Sequence, residues 1–460
     1  MATFAGSVAR YPARISFACY LALILLGGTL LALPVCHAPN QAPISLLDAL
    51  FTSTSAVCVT GLSVRSTGEH FSFVGQLVIL ALIQVGGIGI MTITTFITFT
   101  LGGRESLRAR MVVSESVGGF VVADLRWVLG YVILMTLLCE AIGFAFLATR
   151  NLIEGEQSVS YALWHAAFHS ISAFCNAGFG LADDSLVQYR GSVTVNFTVM
   201  ALIIAGGIGF PVLLDVTRNW GLGWNGLWSR LHMHSKFMLL GSAILIGFGM
   251  ISILAFEWDN SLADLPLAEK LMASLFQSVT CRTAGFNTVS MQHLTNATLF
   301  IMVLLMLVGA GPCSTAGGFK VSTVSVLVMR AWSTFRGSTA VHAFRRSIPL
   351  ATVGRAMTTV LLYMAVVAAC LTAMLAYEQS QTAHAEAPGT FLEAMFEVVS
   401  ALGTVGLSTG LTPTLSGLGK WILIVAMFVG RLGPISVAAV FSSAEYPRKI
   451  DYPQEEPLIG

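Results

Sequence analysis

Four short stretches of this 460-residue chain, Val59-Thr60-Gly61, Asn176-Ala177-Gly178, Thr283-Ala284-Gly285 and Thr404-Val405-Gly406, each close a run rich in Ser, Thr and Ala with a glycine. That pattern suits one kind of chemistry. A cation stripped of its water needs replacement oxygens, and backbone carbonyls supply them where a short stretch turns its C=O groups inward. Glycine adopts the unusual φ/ψ of such a stretch at the lowest cost. One glycine in a loop would only make a turn; four in register ask for a common cause. The register is clear in the segments FTSTSAVCVTG (51–61), FHSISAFCNAG (168–178), FQSVTCRTAG (276–285) and FEVVSALGTVG (396–406), whose glycines lie 117, 107 and 121 residues apart. The chain therefore reads as four copies of one unit, bounded at 1–103, 104–220, 221–335 and 336–445, with a tail at 446–460.

The elements that position these stretches follow from composition. Hydrophobic residues make up 55% of the chain and charged residues only 10%, with a mean hydropathy of +0.79, well short of the ~25% charge of soluble domains. The solvent is a lipid bilayer. A net charge of +1 gives no ground for a nucleic-acid partner. In each copy a long apolar run comes first (15–35, 127–148, 237–256, 356–376). A half-length segment ending in the glycine follows, and then a second long run (72–99, 193–214, 297–328, 418–441). The first run is too long for a signal peptide and reads as a span. Eight spans of about 20 residues fit a ~30 Å hydrocarbon core. The half-length segments must enter and leave on one side, which lipid tolerates only beside protein or a water-filled cavity. The expected fold is an all-α membrane protein of four membrane–pore–membrane repeats, eight transmembrane helices and four re-entrant pore helices around one pseudo-fourfold pore.

Placing the glycine loops outside leaves 17 of the 24 Lys and Arg inside and six outside, with Arg431 inside the last span. The positive-inside rule favours that orientation, with both termini cytoplasmic. The outer loops carry Asp183, Asp184, Glu257, Asp259, Asp264 and Glu269, read either as an acidic mouth that concentrates cations or as ordinary solvated loops. The second span of the third copy is interrupted by Gly309, Ala310, Gly311, Pro312, Cys313, Ser314, Thr315, Ala316, Gly317 and Gly318, up to Lys320. Its glycines and proline cannot continue a helix, so the break should line or plug a cavity near mid-membrane. The equivalent places, Gly86-Gly87-Ile88-Gly89, Gly206-Gly207-Ile208-Gly209 and Gly430-Arg431-Leu432-Gly433, are expected to be only lightly broken. A charge such as Arg431 inside a span is costly and usually functional.

Eight cysteines without a close pair suggest no disulfide framework. Cys58, Cys175 and Cys281 fall in three of the glycine segments, with Gly403 at the place in the fourth, either as small packing groups or as a thiol-lined entrance. His165 and His169 have the i, i+4 spacing of a metal pair but no HExxH motif, and read as core or interface histidines. The basic stretch from Arg330 to Arg355 could meet anionic lipid or a soluble partner, although positive-inside bias alone would produce it.

The motifs resemble those of the Trk/Ktr/HKT superfamily of potassium transporters, most closely the KtrB membrane subunits of its Ktr branch, over essentially the whole chain. The resemblance implies one filter glycine per repeat at Gly61, Gly178, Gly285 and Gly406, with potassium held at the twelve filter residues named above. Glycine rather than serine at position 61 points to potassium over sodium. A single span before the first filter and the tail YPQEEPLIG (452–460) favour Ktr; the alternative is a TrkH-like potassium transporter with a different coupling ion. The interrupted span is then implied to be a gating loop, with Arg431 below the filter facing it. Arg282 and Glu397 match the family pattern and are expected to pair behind the filter. Also implied are a bacterial cytoplasmic membrane, a homodimer with a pore in each protomer, a cytoplasmic KtrA-like nucleotide-binding ring and sodium stimulation. This chain shows no GxGxxG after a strand and no P-loop, so nucleotide control would come from elsewhere. An intramembrane enzyme would need a Ser/His, paired Asp or HExxH set, and none is found. A secondary transporter with a midplane site is permitted by the broken span, but four filter-like segments argue against it.

Overall fold

A computed structural model describes residues 12–39, 41–89, 125–155, 158–378 and 389–441. The expected tail at 446–460, Arg10 and the end of the run 72–99 lie outside these residues. The described chain is mostly helical, and many of its helices are apolar. In order they are α1 Pro12–Leu31, α2 Leu46–Val57, α3 Phe73–Ile88, α4 Leu125–Glu154, α5 Val159–Phe174, α6 Val193–Ile208, α7 Phe210–Asn219, α8 Gly223–Arg230, α9 Met233–Glu257, α10 Leu267–Thr280, α11 Asn296–Leu307, α12 Val321–Phe335, α13 Leu350–Glu378, α14 Thr390–Gly403, α15 Gly417–Leu432 and α16 Pro434–Phe441, besides single turns. A two-stranded antiparallel hairpin, β1 Val341–Ala343 and β2 Arg346–Ile348, joins α12 to α13.

The second long run of each copy is shorter as a helix than its apolar length suggests. Helices α3, α6 and α15 each have 16 residues and α11 has 12; at 1.5 Å per residue these reach only about 18–24 Å. All four start alike: the hydroxyls of Ser72, Ser192, Thr295 and Ser416 accept a hydrogen bond from the amide three residues on, satisfying an orphan donor of the first turn. Three stop alike, at Gly89, Gly209 and Gly433 with φ of 86°, 92° and 83°. Here the structure corrects the sequence reading for the second copy, where the break is not light. Chain direction turns by 99° between α6 and α7. Continuous apolar helices long enough to cross a membrane are Gly130–Glu154, Met233–Glu257 and Leu350–Glu378 among the described residues, or four spans if the bent pair counts as one.

The half-length helices α2, α5, α10 and α14 each pack against the long helix before them: α1, α4, α9 and α13 respectively. Each also packs against the helix that follows the preceding glycine segment: α5 on α3, α10 on α6, α14 on α11, and α2 on α15. The phenylalanines that open the four motifs, Phe51, Phe168, Phe276 and Phe396, have no exposed surface and belong to one continuous core. Close approach is possible because a Cβ on Gly86, Gly206 or Gly430 would strike the carbonyl oxygen of Val57, Phe174 or Leu402, the last residue or near-last residue of the half-length helix beside it.

Candidate functional site

Each half-length helix ends directly before its glycine stretch, and all four stretches share one backbone pattern. Val59, Asn176, Thr283 and Thr404 have φ of 56°, 58°, 68° and 48°, while the glycines two residues later have φ of 98°, 68°, 81° and 92°; the residue between stays on the negative side. Alternating hand gathers successive N–H groups on one side of the chain and leaves the carbonyls to the other. The amides face the helix ends. Thr60, Ala177 and Val405 donate to the carbonyls of Ser55, Ser172 and Ser400 at 2.8 Å, and Ala284 donates to that of Thr280 at 3.0 Å. The amides of Gly61 and Gly406 donate to the hydroxyls of Ser55 and Ser400 at 3.0 and 3.1 Å. With most of the donors turned there, the carbonyls of these stretches accept no hydrogen bond among the described residues and are open to another partner. The negative ends of four helix dipoles lie beside them.

The four stretches touch in a closed cycle. A Cβ on Gly61 would lie 2.5 Å from the carbonyl oxygen of Ala177, one on Gly178 2.9 Å from that of Ala284, and one on Gly285 2.6 Å from that of Val405. A Cβ on Gly406 would strike the carbonyl oxygen of Thr60 and close the cycle. Val59, Thr60, Ala177, Thr283, Ala284 and Val405 are fully buried, and Asn176 and Thr404 nearly so. The hydroxyls of Thr60, Thr283 and Thr404 are buried without a hydrogen-bond partner among the described residues. Oxygen atoms with unfilled lone pairs in a buried ring suit a dehydrated cation.

The interruption after α11 is a folded loop held from three sides. Its own ends meet where the Phe319 amide donates to Leu307 O at 3.0 Å and that of Val321 to Ala310 O at 3.1 Å. The end of α6 holds it through Gly311 N to Gly207 O at 2.8 Å and Thr315 N to Gly206 O at 3.3 Å, and a Cβ on Gly209 would lie 2.5 Å from Pro312 O. Ser314 donates to Gly311 O at 2.6 Å and Lys320 to Ala316 O at 2.7 Å. A Cβ on Gly317 would meet the Thr404 hydroxyl and Gly403 O, so the loop lies against the fourth glycine stretch. Cys313 takes φ of 55° and Gly318 of 67°. The Arg431 guanidinium bridges Thr315 O of this loop and Gly86 O of α3, the latter at 2.5 Å.

Several expectations are corrected. Arg282 and Glu397 do not pair. Arg282 donates to Gly309 O at 3.0 Å. Glu397, wholly buried, accepts from Ser408 Oγ at 2.6 Å, from the Thr409 amide at 3.0 Å and hydroxyl at 3.3 Å, and from Thr412 Oγ1 at 2.6 Å. Aligned on the residue at positive φ, Arg282 and not Cys281 occupies the place of Cys58, Cys175 and Gly403. All three cysteines are fully buried, which is packing and not an entrance. Glu257 is buried too and is no part of an acidic mouth: it accepts from the Thr295 amide, Thr295 Oγ1 and Thr298 Oγ1 at 2.9, 2.8 and 2.5 Å, capping α11. Glu269 faces Arg190 at 3.6 Å, whereas Asp183, Asp184, Asp259 and Asp264 are exposed. His165 and His169 stack at 3.9 Å, and His169 bonds the carbonyl of His165; among the described residues no cluster of three metal-ligating side chains occurs.

The sequence reading passed over two charged sites. Asp48, in the first turn of α2, is buried between Lys420 at 2.7 Å and Arg65 at 3.5 Å. Glu140, inside α4, accepts from Gln84 at 3.1 Å beside the Cys175 thiol. An acid inside an apolar run was the available signal for Glu140; nothing local marks Asp48.

The family model described as TrkH, cation transport protein, matches residues 23–449. The chain is 38% identical over 450 residues to the Ktr system potassium uptake protein B of Vibrio alginolyticus, covering 97% of this chain and 94% of the relative. It is 38% identical to the Bacillus subtilis protein of the same name, covering 95% and 94%, and 34% identical to the potassium/sodium uptake protein NtpJ of Enterococcus hirae, covering 98% and 97%. Its fold matches the crystal structure of the potassium transporter TrkH from Vibrio parahaemolyticus with a TM-score of 0.71 at 19% identity, covering 94% of this chain and 84% of that one. Four glycine stretches in a closed cycle and a match along almost the whole length lead to the same conclusion: the chain belongs to the TrkH family of cation transport proteins.

Proposed function

We propose that this protein takes up potassium through a pore whose selectivity filter is the cycle of Val59–Gly61, Asn176–Gly178, Thr283–Gly285 and Thr404–Gly406. The observation that carries the reading is the closed cycle of glycine-to-carbonyl contacts, joined to the alternating backbone hand that frees the carbonyls. The cyclic packing of α2, α5, α10 and α14 on α15, α3, α6 and α11 supports four repeats, divided as the sequence suggests, around one pseudo-fourfold axis. The names of the relatives supply the ion.

In this reading a potassium ion sheds water and is held by carbonyl oxygens, with the half-helix C-termini stabilising the charge. The segment Gly309–Lys320 is the gate: it lies against the fourth filter stretch and is pinned by Arg431. The protein would reside in the bacterial cytoplasmic membrane with both termini inside, as a homodimer under a KtrA-like nucleotide-binding ring, with uptake stimulated by sodium. The exposed hairpin residues Arg345 and Arg346 agree with a cytoplasmic face.

The test is growth of a potassium-uptake-deficient bacterium on low-potassium medium, with flux into proteoliposomes. Gly61→Ser, Gly178→Ser, Gly285→Ser and Gly406→Ser should each lower potassium flux by at least about tenfold, because each adds atoms against a neighbouring carbonyl and strains a positive φ. Four variants that insert normally and transport at the wild-type rate would sink the reading.

A further inference from the structure

In the other copies a small residue, Cys58, Cys175 or Gly403, stands just before the residue at positive φ; the third copy has Arg282. Its side chain is 5% exposed. The guanidinium does not reach an acid: among the described residues its hydrogen bond goes through Nη2 to Gly309 O at 3.0 Å, while Nη1 is buried without a partner. Beside it is a cavity of about 20 Å³ lined by Ile203, Gly207, Val279 and Ala310 among others, room for about one water. Gly309 opens the intramembrane loop and Thr283, the next residue after Arg282, opens the third filter stretch. One side chain thus joins a filter strand to the hinge of the loop.

We propose that Arg282 is a positioning residue that latches the loop to the third filter stretch, so that moving the loop requires breaking the Arg282–Gly309 hydrogen bond. The proposal rests on the reading of Gly309–Lys320 as a gate. Physical grounds are twofold. A charged donor to a carbonyl in a low-dielectric site is among the stronger single hydrogen bonds. The guanidinium has little else to hold, so it gains nothing by staying unless the loop stays with it. Arg431 grips the loop from the other side, at Thr315, and two grips at separate points make the closed position a discrete one. Water in the adjoining cavity could accept from Nη1 and solvate the cation when the latch opens.

The experiment uses the full chain in inside-out vesicles and proteoliposomes. A membrane-impermeant thiol reagent is applied from the cytoplasmic side, modification of Cys313 is followed by peptide mass spectrometry, and potassium and sodium fluxes are measured in parallel. Arg282→Met keeps the bulk and removes the donor. Loss of one charge-assisted hydrogen bond should speed Cys313 modification by about tenfold and raise potassium flux, with potassium-over-sodium selectivity kept. Arg282→Lys, which keeps a donor, should fall between. Unchanged Cys313 modification overturns the latch, as does a loss of selectivity together with flux, which would make Arg282 a filter support only. If Arg282→Met fails to insert, Arg282→Gln is read by the same two rates and the same criteria. A wild-type protein that carries no potassium would defeat the proposed function while Cys313 modification still reads the latch.

Discussion

A β-branched residue at positive φ is rare, because Cβ crowds the following carbonyl by about 1–2 kcal/mol. Val59, Thr283 and Thr404 all stand there, and Asn176 with them. The glycines of the filter stretches were legible because glycine is the residue whose purpose is conformational. The strained residue two positions earlier was not, since Val and Thr ordinarily announce a strand; only burial on every side holds them. Arg282 is visible in the sequence as a charge near a filter, but its partner is the Gly309 carbonyl, and a backbone carbonyl has no sequence signature, whereas an acid such as Glu397 has one. His70 is buried in the loop between α2 and α3. Burial pushes its imidazole below the ordinary value, and Arg65 and His37 add to that, while Asp48 opposes. A folded-state value below the unfolded one means that the unfolded chain binds the proton more readily, so stability is full above the ordinary value of about 6.5 and is lost as pH falls below it. Melting temperature of the purified protein should drop between pH 7 and pH 5, and His70→Gln should flatten that dependence; an equal drop in the variant would show that other groups carry it.

At the scale of elements, hydropathy marked where apolar chain runs but not where helices stop. The run 193–214 is continuous in composition, yet its helix ends at Gly209 and turns by 99°. Apolar residues suit both halves of a bent element, so the bend is written only in the glycines, and those were read as slight. The paired glycines have a second job that composition also hides. Gly206 lies against the carbonyl of Phe174 at the end of α5, leaving no room for a side chain. Backbone on both sides cannot rotate away as a flexible side chain could. Gly206→Val should therefore cost about 1–3 kcal/mol or more by overpacking, lowering the melting temperature and the potassium flux together. The same substitution at Gly130, where a Cβ would meet nothing within 4 Å, should leave melting unchanged. Equal melting of the two variants would refute the close-packing argument.

For the whole molecule, tandem copies explain why three of the four neighbour contacts form: consecutive segments are tethered to each other. The fourth contact joins segments at opposite ends of the chain and has to be held by interactions alone. Helix α15 packs on α2, a Cβ on Gly406 would meet Thr60 O, Arg431 donates to Gly86 O, and Lys420 bonds Asp48 across 372 positions of sequence. The repeat was legible from one sequence, whereas this closure was not, because Lys420 and Asp48 belong to no shared motif. Asp48 is 4% exposed and lies in the first turn of α2, where a carboxylate also meets the positive end of the helix dipole. Lys420→Met leaves that carboxylate with Arg65, which is half exposed and at 3.5 Å. Breaking a buried pair by removing one partner costs up to about 3–5 kcal/mol where the remaining charge is left uncompensated, and Arg65 reduces that cost here. Asp48→Asn with Lys420→Met removes both charges and should recover much of that loss. The expected order of melting temperature is wild type, then the double variant, then Lys420→Met. If the double variant melts below Lys420→Met, the pair is not what fastens the last segment to the first, and the closure must be assigned to the packing of α15 on α2.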